Sequence, residues 1–158
     1  MFSDQLRKKI DGLLTRYETK RSAILPVLHA VQDEHRWIKE EHLDELETKY
    51  GLSRVHLKEV ITFYDIYRDT PTRKFVIRYC HNITCSMLGA KEAMARIKGH
   101  IEKLDAAMGE DGPFELEPFP CLGKCDGAPV MLVNKERVEH ATVDKIDGLL
   151  SKYAPLPK

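Results

Sequence analysis

Residues 74–104 read KFVIRYCHNITCSMLGAKEAMARIKGHIEKL, and two structural periods meet inside them. From Lys74 to Cys80 apolar and polar side chains alternate, with Phe75, Ile77 and Tyr79 on one face, which predicts a half-buried β-strand. Beyond it Ala90, Ala93, Met94, Ile97, Ile101 and Leu104 recur at helical spacing and predict a long amphipathic helix. Between the two lies a C-x4-C pair, Cys80 and Cys85, with Cys85 expected at the mouth of that helix. Downstream, the turn-rich MGEDGP (residues 108–113) leads to a second alternating segment, Phe114 to Glu117. The unbroken apolar run Pro129 to Val133 predicts a buried central strand. Arg137 to His140 is expected to be its hairpin partner, and Val143, Ile146, Leu149 and Leu150 a closing helix. The order β-α-β-β-α implies helices packed on a small mixed sheet.

Upstream of this region the chain reads as helices. Leu6, Ile10, Leu13, Leu14 and Tyr17 share one face, and Ile24, Val27, Leu28 and Val31 another, with Pro26 near a helix start where a missing N–H costs little. Trp37 and Ile38 fall in a connector. Leu43, Leu46 and Tyr50 mark a third helix stopped by Gly51, and Ser53 is placed to cap a fourth carrying Leu57, Val60, Ile61 and Tyr64. The polar, proline-containing Asp69-Thr70-Pro71-Thr72 is the best boundary in the chain. The expectation is therefore an α+β protein with a four-helix bundle over residues 1–70 and an α/β domain over residues 71–158. The helical part shows no chemistry of its own, so a docking role is expected there, with Trp37, Phe63, Tyr64 and Tyr67 divided between core and surface.

The 158 residues carry 25 basic and 25 acidic side chains, interspersed, with 42% apolar and 32% charged residues. Such a chain can bury an ordinary core unaided. It lacks the basic excess of a nucleic-acid binder, and no apolar run approaches the ~18–20 residues that cross a bilayer. The opening MFSDQLRKKIDGLL has no apolar signal core and mixes acids with bases, so a cytoplasmic setting is expected. No G-x-G-x-x-G follows a strand, so no nucleotide site of its own is expected.

All four cysteines lie between residues 80 and 125, in two pairs: Cys80 and Cys85, then Cys121 and Cys125 in the loop CLGKC. Both pairs are expected at loops leaving the same sheet. A [2Fe–2S] cluster has two irons, each taking two protein thiolates, and two close pairs meet that demand. Zinc stays open as an alternative, although its usual knuckle is C-x2-C; inert buried cysteines and redox thiols are the remaining readings, the thioredoxin-type C-x-x-C being absent. His81, directly beside Cys80, is unsuited to Rieske-type ligation. Gly123 and Gly127 are expected to let backbone N–H groups approach the sulfurs. Of the seven histidines, His29, His35, His42 and His56 are expected on helices in surface or bundle roles, and Lys39-Glu40-Glu41-His42 as a solvated helix start. Lys124 is expected to be exposed.

The segments CHNITC (80–85), Gly89-Ala90 and CLGKCDGAPV (121–130) together resemble the small iron–sulfur subunit of respiratory complex I, the bacterial NADH–quinone oxidoreductase. The likeness extends upstream through RSAILPVL (21–28), Gln32-Asp33-Glu34, Trp37-Ile38 and VITFY (60–64). The resemblance implies a thioredoxin-like [2Fe–2S] ferredoxin domain with Cys80, Cys85, Cys121 and Cys125 as ligands. It implies electron transfer beside the FMN of an NADH-oxidising flavoprotein partner, in the peripheral arm of a membrane-associated complex. The equivalent subunit of a soluble NAD-linked hydrogenase or formate dehydrogenase shares the pattern, and a zinc-stabilised interaction module is the rival from another class. One departure is visible: Asn134 is followed by Lys135, Glu136 and Arg137 rather than by an acidic residue and then an aromatic, which bears on the hairpin contacts.

Overall fold

The computed structural model describes residues 1–109 and 112–155. Two compact units divide the chain, Met1–Thr72 and Arg73–Lys158.

The first unit is helical: α1 Asp4–Arg16, α2 Ile24–His35, α3 Glu40–Tyr50 and α4 Arg54–Phe63. Ser3 caps α1, its hydroxyl accepting the Leu6 N–H at 3.1 Å. Gly51 ends α3 in the left-handed conformation (φ 65°), which only glycine adopts without strain. Ser53 stands at the N-cap of α4, but its side chain makes no capping bond. The core is built on Ile10, Ile24, Val27, Leu28, Val31, Leu46 and Leu57, all fully buried. Each such side chain contributes ~1.5–3 kcal/mol by leaving water. Phe2, which precedes the helical pattern, is also in this core. After α4 the chain is tied back onto α2: Gln32 donates to the Ile66 carbonyl at 2.7 Å and accepts the Arg68 N–H at 2.7 Å, while the Tyr67 hydroxyl donates to the Leu25 carbonyl at 2.9 Å.

The expected solvated helix start at Lys39–His42 is corrected. His42 is only 2% exposed, and its Nδ1 accepts the Lys39 N–H at 3.1 Å in a capping box. Its ring lies against His35, centroids 4.2 Å apart, and against Phe2 at 5.5 Å. The polar letters of the segment hide a ring that turns inward because its acceptor is spent on the helix start.

The second unit is a four-stranded sheet, β1 Phe75–Cys80, β2 Phe114–Phe119, β3 Met131–Val133 and β4 Glu136–Val138, in the order β2-β1-β3-β4. β1 runs parallel to β2 and antiparallel to β3, and β3 antiparallel to β4. The parallel pair needs a long crossover, supplied by α5 Ile83–Met87 and α6 Ala90–Met108. α6 packs on β1 and β2 and against α7, Ile146–Ser151. Ala90, Ala93, Ile97 and Leu104 are buried along it, with Ile77, Tyr79 and Phe114 on the strands. The Tyr79 hydroxyl, fully buried, donates to the Ala141 carbonyl at 2.6 Å; burial pushes its pKa up. On the direct β1–β2 pair Arg78 and Glu117, an ion pair at 2.9 Å crosses the sheet.

Three elements differ in their limits from the sequence expectation. Cys85 lies inside the separate short helix α5, not at the mouth of α6, because Gly89 turns the chain (φ 88°) between the two. Pro129 and Val130 are buried but precede β3, since proline has no N–H for a ladder. β4 starts at Glu136 and ends at Val138, and His140 leaves it with φ 50°. Of the turn-rich residues 108–113, Glu110 and Asp111 lie outside the described residues.

Candidate metal centre

The parallel register of β1 and β2 brings the four cysteines to one end of the sheet. Cys80 is the last residue of β1 and pairs in register with Phe119, the last of β2. Two residues beyond Phe119 comes Cys121, and the His81 N–H donates to the Phe119 carbonyl at 3.1 Å, so both chains leave the sheet together. Asn82 then starts α5: its side chain accepts the Ile83 N–H at 2.8 Å, and its carbonyl accepts the Ser86 N–H at 2.8 Å. The Ser86 hydroxyl donates back to the His81 carbonyl at 2.8 Å. This one-turn helix points Cys85 inward, where it is 2% exposed. Just before β3, the Val130 carbonyl accepts the Cys80 N–H at 3.1 Å and closes the third side.

The thiols differ in exposure. Cys80 and Cys85 are buried, whereas Cys121 and Cys125 are exposed, and all four are free of disulfides. The Cys80 thiol donates to the Pro120 carbonyl at 4.0 Å, one residue before Cys121. Burial pushes the Cys80 thiol up, but backbone N–H groups of Asn82 and Leu122 and the Cys85 and Cys121 thiols outweigh it and hold Cys80 below the ordinary cysteine value. Burial raises Cys85, the Val130 backbone opposes this, and the nearby Cys80 and Cys125 charges raise it further. Gly123, with φ 68°, turns its N–H to the Cys121 sulfur at 3.4 Å. Gly127 acts differently from the expectation. Its N–H donates to the Lys124 carbonyl at 3.3 Å, and a Cβ there would fall 2.5 Å from the Glu139 carboxylate.

The donor set fits a binuclear cluster: four soft thiols in two pairs, with backbone N–H groups aimed at the sulfurs. Among the described residues no three His, Cys, Asp or Glu side chains converge on one point as a ready single-ion site; the thiol contacts are pairwise. His81 is exposed on the outer side of the β1–α5 turn. Lys124, expected to be exposed, is 27% exposed and ion-paired with Asp126 and, at 4.0 Å, with Glu139.

The model of the thioredoxin-like [2Fe–2S] ferredoxin family matches residues 10–154. The chain belongs to that family. Membership implies a resident [2Fe–2S] cluster, which the four-thiol donor set can accommodate. Among curated proteins, this ferredoxin is 30% identical over 148 residues to an NADH-quinone oxidoreductase subunit of Rhizobium meliloti, covering 94% of this chain and 88% of the relative. It is 33% identical to NADH-quinone oxidoreductase subunit 2 of Thermus thermophilus, over 95% of this chain and 84% of that one. To an NADH-quinone oxidoreductase subunit of Escherichia coli it is 30% identical, over 93% and 89% of the two chains. Among solved structures, a chain of a NAD+-reducing [NiFe]-hydrogenase in the air-oxidized state shares the ferredoxin's fold with a TM-score of 0.69 at 21% identity. That match covers 88% of this chain and 25% of the hydrogenase chain.

Proposed function

We propose that Cys80, Cys85, Cys121 and Cys125 hold one [2Fe–2S] cluster, and that the chain passes single electrons between it and the flavin of a partner that binds FMN and oxidises NADH. In this reading the protein is a peripheral, cytoplasmic electron-transfer subunit of an NADH–quinone oxidoreductase. The observation that carries it is the placement of both cysteine pairs at the ends of β1 and β2: Cys80 ends β1 opposite Phe119, its thiol donates to the carbonyl of Pro120 next to Cys121, and Cys85 is buried in the short helix that follows. Relatives at 30% identity and above over nearly the full chain are named as subunits of that oxidoreductase. The likeness to the hydrogenase chain is one of fold and does not favour the hydrogenase alternative.

When bound, the cluster supplies a one-electron couple. The chain's own residues set its surroundings. Backbone N–H groups of Asn82, Leu122 and Gly123 stabilise negative charge on sulfur. Burial of Cys80 and Cys85 keeps water from one side, and exposure of Cys121 and Cys125 leaves the other side open. Exposed Ile83, Met87 and Leu88, on and just after the helix that carries Cys85, offer apolar surface for a partner to approach the sulfurs closely. Among the described residues no helix is long and apolar enough to cross a membrane.

The test is composition. Protein purified anaerobically should hold about two irons and two acid-labile sulfides per chain and show visible absorption. Stoichiometric zinc in a colourless protein would establish the interaction-module reading instead, and four irons per chain would also overturn the assignment.

The helical unit, residues 1–70 by the sequence boundary, is proposed to help dock the same flavoprotein. Val55 and Phe63 on α4 are 66% and 78% exposed, and Tyr64 39%, although these are side chains that ordinarily seek burial. Phe63→Glu should leave the cluster intact and weaken co-purification with the flavoprotein about tenfold or more, the loss expected of an aromatic anchor. Undiminished affinity in a pull-down titration would place the docking elsewhere.

A further inference from the structure

The residues that follow β4 reach the second cysteine pair. Glu139 follows β4, and its carboxylate sits against Gly127, at the spot where a Cβ on Gly127 would lie. From there it faces the Lys124 ammonium at 4.0 Å, inside the loop between Cys121 and Cys125. The Arg137 Nε holds the other carboxylate oxygen at 3.1 Å. The backbone repeats the grip: the His140 N–H donates to the Gly127 carbonyl at 2.8 Å, and the Ala141 N–H to the Pro129 carbonyl at 2.9 Å. His140 takes its φ of 50° between these bonds, and its carbonyl accepts the Thr142 N–H at 2.9 Å and the Lys145 ammonium at 3.4 Å. Asp126, 74% exposed, is the other partner of Lys124.

We infer that Glu139 is a positioning residue for the Cys121–Cys125 loop, clamping Lys124 so that the two exposed thiolates are held ready for one iron. The inference rests on the four-cysteine reading. The physical reason lies in the uneven support of the two pairs. Cys80 and Cys85 are fixed by a strand end and a capped helix, and both are buried. Cys121 and Cys125 are exposed, their loop has only a short 3₁₀ turn at Cys125–Gly127, and its lysine is tied down by charge rather than by packing. Glycine at 127 leaves room for this contact: an alanine methyl would meet the Glu139 carboxylate at 2.5 Å and push that side chain off Lys124. Gly127 is not in a left-handed conformation, so alanine there is otherwise tolerated by the backbone.

The experiment measures how fast an iron chelator bleaches the visible absorption of the cluster-loaded full chain, together with the reduction midpoint. Glu139→Gln keeps size and removes charge; it should speed bleaching about two- to fivefold, the scale of a part-exposed ion pair, and raise the midpoint because a negative charge near the cluster is lost. Gly127→Ala should speed bleaching similarly without changing any charge. In a Glu139→Ala background, Gly127→Ala should add nothing, since the side chain it displaces is gone. Parent and variants that bleach at equal rates, or a Gly127→Ala effect that persists without Glu139, would overturn the clamp. A parent chain with no cluster would overturn instead the four-cysteine reading beneath it.

Discussion

Alanine at any one of Cys80, Cys85, Cys121 or Cys125 is expected to abolish the visible absorption and the EPR signal of the reduced protein. Each substitution removes one of four thiolates and opens an iron to water, and the chain has no fifth cysteine to take its place. Serine in the same positions should retain part of the cluster, with an altered spectrum, because an alkoxide can ligate iron. His81→Ala is the control: His81 is exposed, with its backbone N–H bonded to Phe119, so the variant should keep the cluster with at most a modest shift in midpoint; Lys124→Ala should also keep its iron, but lose it to a chelator faster because the contact with Glu139 is gone. Iron content and EPR across this series decide the matter. A full, spectroscopically unchanged cluster in any cysteine-to-alanine variant would refute the four-ligand assignment, and loss in His81→Ala alone would point to histidine ligation.

The second large effect is expected in the helical unit and depends on pH. Burial, reinforced by the charges of His35, the N-terminus and Lys39, holds the His42 pKa down at about 4, with Glu41 opposing weakly. Between about pH 4 and 6.5 the unfolded chain therefore binds a proton that the folded chain refuses, and stability rises with pH across that window. On falling from pH 7 to 5 the unit should lose up to about 2 kcal/mol, at ~1.4 kcal/mol per pH unit below the unfolded value. Of the neighbouring carboxylates, Glu34 is held below its ordinary value of 4.5 mainly by the Ser3 hydroxyl; burial raises Glu45, but Lys49, the Phe2 N–H and Arg7 hold it below that value. His42→Gln keeps a side-chain acceptor at the capping-box position and removes the titration. Urea unfolding followed by Trp37, the single tryptophan of the chain, should show the pH dependence in the parent and a much flatter profile in the variant. Equal slopes in the two proteins would show that His42 is not its source.

The elements legible in the residues were those whose apolar spacing repeats. The stripes of α1, α2 and α6 announce themselves, because burial on one face selects side chains about every 3.6 residues whatever lies opposite; β1 was legible as a strand, but it is not half-buried as its alternation suggested, since Val76 and Cys80 on its other face are buried beside Ile77 and Tyr79. The clustering of the four cysteines in two short-spaced pairs was equally plain in the sequence. Short elements were less so. α5 has five residues and is made by Asn82 and Ser86 bonding to nearby backbone, a local balance with no periodic signature. β3 and β4 have three residues each, and their limits follow from Pro129 lacking an N–H and from Asn134 turning with φ 54° while its side chain accepts the Val76 N–H at 2.9 Å.

By itself, then, the order of residues determined the long periodic elements and the grouping of the four cysteines, and the polar segment 69–72 lies where one compact unit gives way to the next. Only the tertiary structure decided which cysteines are sheltered and which are open. That depends on β1 and β2 running parallel and ending in register, a contact between segments about 40 residues apart. It also decided the fates of His42 and Glu139. Both are polar letters in polar surroundings, one buried against His35 and Phe2 and the other set against Gly127. Their partners lie on other elements, and a one-dimensional pattern carries no information about a neighbour that folding alone brings near.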